Sequence, residues 1–150
     1  MGKLDGVCMC MDALDADHVA SVALDTRSLE ETHKALMQYP GMGPFMAYEV
    51  VTDLAHTPVL RRARDRMTWA NPGPGCLRGL GHVYGTRHTR ANPATLLHMR
   101  ELLDLAGPDS FYWPEDWPAW DMRTVEHWLC EYDKYCRGVA GTRLKRRYRA

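Results

Sequence analysis

The sequence lacks the signals that take a protein into or across a membrane. No apolar run in its 150 residues approaches the roughly 20 residues that a membrane-spanning helix needs. The N-terminus has no charged segment followed by an apolar stretch and a small-residue cleavage site, so it does not resemble a secretory signal peptide. These absences argue against a membrane-spanning or a secreted protein.

Metal-binding spacings are also absent. The five cysteines are an odd number, which does not fit a disulfide framework and favours a reducing compartment. Cys8 and Cys10 are too close for a zinc knuckle, and the interval between Cys130 and Cys136 does not place them on one helix face. No HExxH or Cys-x-x-Cys motif accompanies the seven histidines. We therefore expect no metal site.

Long alternation of apolar and polar residues, the pattern of a half-buried strand, is missing as well. The composition is nevertheless globular, with 45% apolar and 25% charged residues. A length of 150 residues is close to the modal size of one domain. We predict an all-α fold with a single helical domain over residues 1–150.

Charge is balanced overall but unevenly placed. Residues 1–75 carry seven Lys/Arg against ten Asp/Glu, and residues 76–150 carry twelve against nine. Positive charge is concentrated in a basic tail, about residues 138–150, and in an arginine cluster of Arg61, Arg62, Arg64 and Arg66. Both could contact phosphates, although a solvated helix face and a frayed tail would have the same composition.

Two helices joined by a glycine turn form a hairpin over about residues 29–55. A capping-box spacing predicts the first helix over 29–38, and a first-turn proline predicts the second over 44–55. The turn residues Gly41, Met42 and Gly43 are the predicted DNA-binding residues. Glycines let a duplex backbone approach closely, and N–H groups at the start of a helix can bind a phosphate. A plain turn between two packed helices is the alternative.

A second glycine-rich segment lies at residues 71–75. Two prolines and two glycines in five residues predict a rigid loop that is neither helix nor strand, followed by a short helix from Cys76. N–H groups that leave such a loop into a helix, beside Arg78, would suit an anion, so Gly73 and Gly75 are candidate phosphate contacts. A stiff connector is the alternative.

The remaining segments are predicted more simply. A weak helical periodicity runs over residues 12–24, residues 57–69 form a helix or turn, and an amphipathic helix covers 93–105. The aromatic and proline-rich residues 111–120 form an irregular loop that could stack on an extruded base or hold the loop to the core. The last helix covers 121–137.

Three segments together are similar to one known family. They read YPGMGPFMAYEVVTDL at 39–54, NPGPGCLRGL at 71–80 and VEHWLCEYDKYCR at 125–137. In this order they resemble the phage proteins called α-glutamyl/putrescinyl thymine pyrophosphorylases, or amino acid:DNA transferases. The resemblance implies a compact helical domain of the helix-hairpin-helix DNA glycosylase type.

The activity that the resemblance implies is hypermodification of thymine-derived bases in phage DNA. A 5-hydroxymethyluracil that a DNA kinase has pyrophosphorylated would lose pyrophosphate and gain an amino acid, with glycine the expected one. The implied partners are double-stranded DNA with the modified pyrimidine and a free amino acid, in the cytoplasm of the infected host. No cofactor is certain, although a divalent cation could help pyrophosphate leave.

This chemistry assigns roles to further residues. Arg78 and Lys134, with the glycine loop at 71–75, could bind the leaving pyrophosphate. The incoming ammonium must lose a proton to a carboxylate, and Asp53 and Glu131 are the first candidates for that base.

Several alternatives remain beside these assignments. The base could instead be Glu49, Asp133 or the substrate's own phosphate, and Tyr48 could stack on the base or simply pack. A DNA glycosylase is a second possible function, although residues 71–75 lack the carboxylate that such enzymes carry after the hairpin. A non-catalytic DNA-binding module is the third. We also expect an N-terminal helical portion of the family to be absent or reduced.

Overall fold

A computed structural model describes residues 2–17, 19–106 and 118–142, and the regular structure of these residues is entirely helical. The described helices are α1 (Lys3–Ala16), α2 (Val19–Thr26), α3 (Leu29–Leu36), α4 (Pro44–Leu54), α5 (Pro74–Tyr84), α6 (Pro93–Leu105) and α7 (Met122–Val139). The all-α prediction is therefore confirmed. None of these helices is long and apolar enough to cross a bilayer.

The chain divides into two compact units, an N-terminal unit (Met1–Asn71) and a C-terminal unit (Pro72–Ala150). In the N-terminal unit, α3 packs against both α2 and α4. Its core consists mostly of small and aliphatic side chains from these helices and from the turns that follow them: Ala23, Leu29, Leu36, Ala47, Val51, Ala55, Leu60 and Ala63. Burial of these apolar groups holds the hairpin helices together.

The start of α3 is fixed by a residue far along the chain. The Ser28 hydroxyl accepts a hydrogen bond from the Glu31 N–H at 3.2 Å, as the capping-box spacing predicts. The carboxylate of Asp65 accepts the N–H of Leu29 at 2.8 Å and of Glu30 at 2.9 Å, and the Ser28 hydroxyl donates to it at 2.7 Å. Asp65, inside the arginine cluster, is therefore a helix cap.

In the C-terminal unit, α5 and α7 cross at very short range, and α6 packs against both. An added Cβ on Gly79 would lie 2.2 Å from the carbonyl oxygen of Leu129, so only glycine permits this approach. Around the crossing lies a second set of buried apolar side chains, namely Cys76, Leu80, Met99, Leu103, Met122, Val125 and Leu129.

Several predicted boundaries need correction. The helix predicted over 29–38 ends at Leu36, and the periodicity at 12–24 belongs to two helices that are interrupted near Asp17. Residues 57–68 are mostly turns, which is one of the two alternatives predicted for this segment. The prediction that 71–75 contains no helix is wrong at its end, because Pro74 occupies the first helical position, where its missing N–H costs nothing.

The later helices are closer to expectation. The α6 bounds match the prediction, with the Asn92 side chain accepting the Ala94 N–H at 3.0 Å. Asp121 caps α7 through the Thr124 N–H at 2.8 Å, and this helix continues past its predicted end to Val139. Most of the aromatic segment and most of the basic tail lie outside the described residues.

Candidate functional site

The predicted DNA-binding turn lies at the exposed end of the hairpin. Gly41 has φ +87°, a left-handed conformation that favours glycine, and Gly43 is the N-cap of α4. The side chains of Phe45 and Met46, in the first turn of α4, are 68% and 49% exposed. The end of the hairpin therefore presents glycine backbone and two apolar side chains to solvent.

Tyr48, a candidate for stacking on a base, lies in the core of the N-terminal unit. Its side chain is 4% exposed and makes T-shaped ring contacts with His33 and Trp69, whose own rings are tilted against each other. His33 Nε2 donates to the Pro44 carbonyl at 3.0 Å, which ties this aromatic cluster to the first turn of α4. Stacking on a base would require Tyr48 to leave the cluster.

The other predicted residues of the N-terminal unit are at its surface. Asp53 is exposed on α4 and has no side-chain partner among the described residues, while Glu49 is half-buried. Arg61, Arg62 and Arg64 are exposed. The fourth member of the cluster, Arg66, is held by the carbonyls of Ala55 and Arg61, each at 3.2 Å.

The predicted anion loop in the C-terminal unit already has an anion beside it. The Gly73 N–H donates to the carboxylate of Glu126 at 3.4 Å, and Glu126 also pairs with Arg123. The Cys130 thiol donates to Glu126 at 3.3 Å, and burial, followed by the nearby Glu126, raises the pKa of that thiol to about 12. An added Cβ on Gly75 would lie 3.1 Å from the Cys130 sulfur. The start of α5 thus faces α7.

Arg78 and Asp133 form the central ion pair of the C-terminal unit. Asp133 is fully buried, and Arg78 reaches it with Nη2 at 2.8 Å and with Nε at 3.1 Å. Arg137 Nε at 3.1 Å and His82 Nε2 at 3.4 Å complete its surroundings. Burial works to raise the pKa of Asp133, but hydrogen bonds and charge from Arg78, with Arg137 and His82, outweigh it and lower the pKa.

The remaining catalytic candidates of the C-terminal unit pair with each other. Lys134 and Glu131, one turn apart on α7, form a partly exposed ion pair. The positive charge of Lys134 is therefore largely balanced on its own helix. Their assignment to the leaving pyrophosphate and to the base stays a prediction.

A pocket of about 390 Å³ opens on the face of α5 that carries Arg78. Arg78, His82, Arg87 and His88 supply its polar wall, and Pro74, Leu77 and Gly81 supply the rest. We call this the cationic pocket. His82, Arg87 and His88 were not among the predicted site residues, although His82 follows Arg78 by one helical turn and that spacing could have indicated it.

The back of the cationic pocket is held by a histidine pair. His88 is 6% exposed, its Nδ1 lies 3.0 Å from the Thr86 carbonyl, and its Nε2 lies 2.7 Å from Nδ1 of His98. Since a carbonyl only accepts, His88 Nδ1 carries the hydrogen, and His98 donates to His88 Nε2. His98 in turn stacks on Tyr84, with ring centroids 4.1 Å apart.

A second pocket in the C-terminal unit, of about 420 Å³, is almost wholly apolar. Trp120, the described end of the aromatic segment, lines it and stacks on Trp128 with the ring planes 4° apart. Among the residues that the structure describes, no three His, Cys, Asp or Glu side chains are grouped to hold a metal ion.

Comparison with known proteins assigns this helical chain to a family. The family model described as the 5-hmdU DNA kinase, helical domain, matches residues 4–144, and the chain belongs to that family. A curated relative, the 5-hmdU DNA kinase of Bacillus phage SP10, is 29% identical over 132 residues, which cover 79% of this chain. The match covers 20% of the length of that kinase. No solved structure matches the chain.

Proposed function

We propose that this chain is a DNA-binding helical domain that acts in the modification of 5-hmdU in phage DNA. The observation that carries the proposal is its membership, over residues 4–144, of the family named for the helical domain of a 5-hmdU DNA kinase. The matched relative devotes four-fifths of its length to other sequence. We therefore assign DNA engagement to the helical domain and phosphoryl transfer to the remainder of that kinase.

The hairpin is the part of the N-terminal unit best suited to a duplex backbone. Among the described residues, the starts of α3, α5, α6 and α7 each have a neighbouring side-chain acceptor, whereas the start of α4 has none. The first-turn N–H groups of Phe45 and Met46 have no acceptor within the helix. An anion at this end would therefore gain hydrogen bonds and a favourable helix dipole.

Substitution of Gly43 tests the hairpin without a backbone conflict. Its φ is −66° and an added Cβ would meet no atom within 4 Å, so Gly43→Leu changes mainly what the turn presents to DNA. We expect affinity for duplex DNA, measured by fluorescence anisotropy, to fall about tenfold, equally for different sequences, because phosphate contacts do not read bases.

Gly138→Leu is the matched control. Gly138 lies in α7, also with open space around it. This variant should bind like the parent protein. Parent-like binding by Gly43→Leu would instead make the hairpin a structural turn.

Amino acid transfer to a pyrophosphorylated 5-hydroxymethyluracil, with glycine as donor, is the finer proposal. The cations of the cationic pocket support it, because they suit a leaving pyrophosphate. Of the two candidate bases, Asp53 has no side-chain partner among the described residues and Glu131 is paired with Lys134.

Mass spectrometry of nucleosides separates this reaction from its alternatives. Pyrophosphorylated DNA is incubated with the chain and a panel of amino acids. An aminoacyl adduct supports transfer and an abasic site supports a glycosylase. Unchanged DNA that the chain nevertheless binds supports the non-catalytic domain.

A further inference from the structure

We propose that the cationic pocket binds a phosphomonoester dianion, and that its ligand is a 5-hydroxymethyl pyrimidine in DNA whose hydroxyl has been phosphorylated. This inference rests on the proposed function, because a 5-hmdU DNA kinase creates that phosphoryl group. It concerns the C-terminal unit and is independent of the hairpin.

The pocket contains cationic groups that the fold does not neutralise. Arg87 is exposed and forms no ion pair with any described residue. Arg78 is 52% exposed and uses Nε and Nη2 on Asp133, which leaves Nη1 for a ligand. Because Asp133 already fixes two nitrogens of the Arg78 guanidinium, less conformational entropy is lost when Arg78 binds an anion.

Among the residues that the structure describes, no carboxylate lines the pocket. Asp133, which contacts the wall residues Arg78 and His82, is fully buried, and it accepts from Arg78 and Arg137. Asp133 therefore orients the wall cations and does not face a ligand. Arg78, Arg87 and Arg137 carry three positive charges against the one negative charge of Asp133. The four side chains together are therefore positively charged, whatever the state of His82.

The size and the walls of the pocket favour a phosphorylated base over a bare ion. Its volume of about 390 Å³ lies within the range of small-molecule sites, roughly 300–1,000 Å³. Pro74 and Leu77 give it an apolar side against which a pyrimidine ring could pack. A phosphomonoester carries up to two negative charges, whereas a backbone phosphodiester carries one, so a site with two arginines discriminates between them.

The donors to the phosphoryl group would be Arg78 and Arg87, because the Nε2 of His82 already faces Asp133 at 3.4 Å. His88 contributes wall surface only, because both of its ring nitrogens are already occupied by Thr86 and His98. Arg87 is the residue to change, since it has no described partner whose loss would disturb the fold.

The test compares two labelled duplexes of one sequence, one with 5-hmdU and one with its phosphomonoester, by fluorescence anisotropy. The full chain should bind the phosphorylated duplex at least tenfold more tightly. Arg87→Ala should reduce this ratio to about twofold, while Arg100→Ala, an exposed arginine on α6 outside the pocket, should keep the full ratio. The ratio cancels any general loss of DNA affinity.

Other outcomes separate the two proposals. A duplex with a 5′-terminal phosphate in place of the modified base tests whether any monoester is sufficient, and equal preference for it would overturn the assignment to the base. Equal binding of both 5-hmdU duplexes by the parent chain, or a ratio unchanged in Arg87→Ala, would overturn the pocket.

If the parent chain binds neither duplex, the proposed DNA-binding function fails and the pocket is decided separately. Calorimetric titration with inorganic phosphate, the simplest analogue of a phosphomonoester dianion, then gives the result. Binding that Arg87→Ala abolishes supports the anion site, and absent or unchanged binding contradicts it.

Discussion

At the residue scale, the C-terminal unit depends on one fully buried carboxylate. Asp133 lies on α7 and receives Arg78 and His82 from α5 and Arg137 from its own helix. Its charge is stabilised because the cations approach from half-exposed positions, where they keep part of their hydration. The pair therefore joins two helices and also fixes the wall of the cationic pocket.

Asp133→Asn should destabilise the protein at neutral pH. Loss of the charged hydrogen bonds should cost about 1.5–3 kcal/mol of unfolding free energy, measured by chemical denaturation. Because the folded-state pKa of Asp133 is lowered, its contribution is present above the unfolded pKa, near 3.9, and is lost as pH falls through the folded value. The difference between parent and variant should thus shrink below about pH 4.

Glu131→Gln is the matched control for this prediction. Glu131 pairs with Lys134 on the surface of the same helix, and such pairs contribute roughly 0–1 kcal/mol. If the control lost as much stability as Asp133→Asn, the stabilisation by Asp133 would not depend on its burial.

At the element scale, the α5–α7 crossing depends on Gly79. The Leu129 carbonyl occupies the space that any Cβ would need, and both partners are backbone or Cβ atoms that cannot rotate away. This close approach also brings the start of α5 to Glu126 and Cys130. The crossing therefore determines where Arg78 meets Asp133.

Gly79→Ala should cost about 3 kcal/mol, the upper end for overpacking, because the two helices must separate. Gly138→Ala, in an open position of α7, should instead stabilise the protein by about 0.5–1 kcal/mol through helix propensity. Thermal melting of both variants checks this pair of values. An unchanged melting temperature for Gly79→Ala would mean that the helices do not cross this closely.

At the scale of the whole molecule, local signals predicted the elements and missed the long-range contacts. Asn92 and Pro93 mark the start of α6, and Asp121 marks the start of α7, because each lies within three residues of the N–H that it caps or replaces. Asp65 caps α3 from 36 residues away, which no local pattern encodes.

In the candidate site, too, local sequence signals identified single residues and missed the long-range contacts between them. Arg78 could be identified from its place after a glycine-rich loop, but its partner Asp133 lies 55 residues on. The loop's Gly73 N–H donates to Glu126, which is a tertiary contact, and the phosphate contact predicted for the loop stays a prediction. Arg87 and His88 follow α5 in an irregular segment without a motif, so only folding brings them to the pocket.

The salt dependence of duplex binding tests the central claim most directly. Each phosphate that the chain neutralises should add about 0.9 to the slope of log affinity against log salt concentration. For the parent chain we predict that affinity falls steeply as salt concentration rises. When Arg61, Arg62 and Arg64 are all changed to Ala, the slope should be lower by about 0.9 for each of these arginines that contacts a phosphate in the parent chain. Failure to bind duplex DNA, or an affinity that does not vary with salt, would contradict the assignment of this chain as a DNA-binding domain.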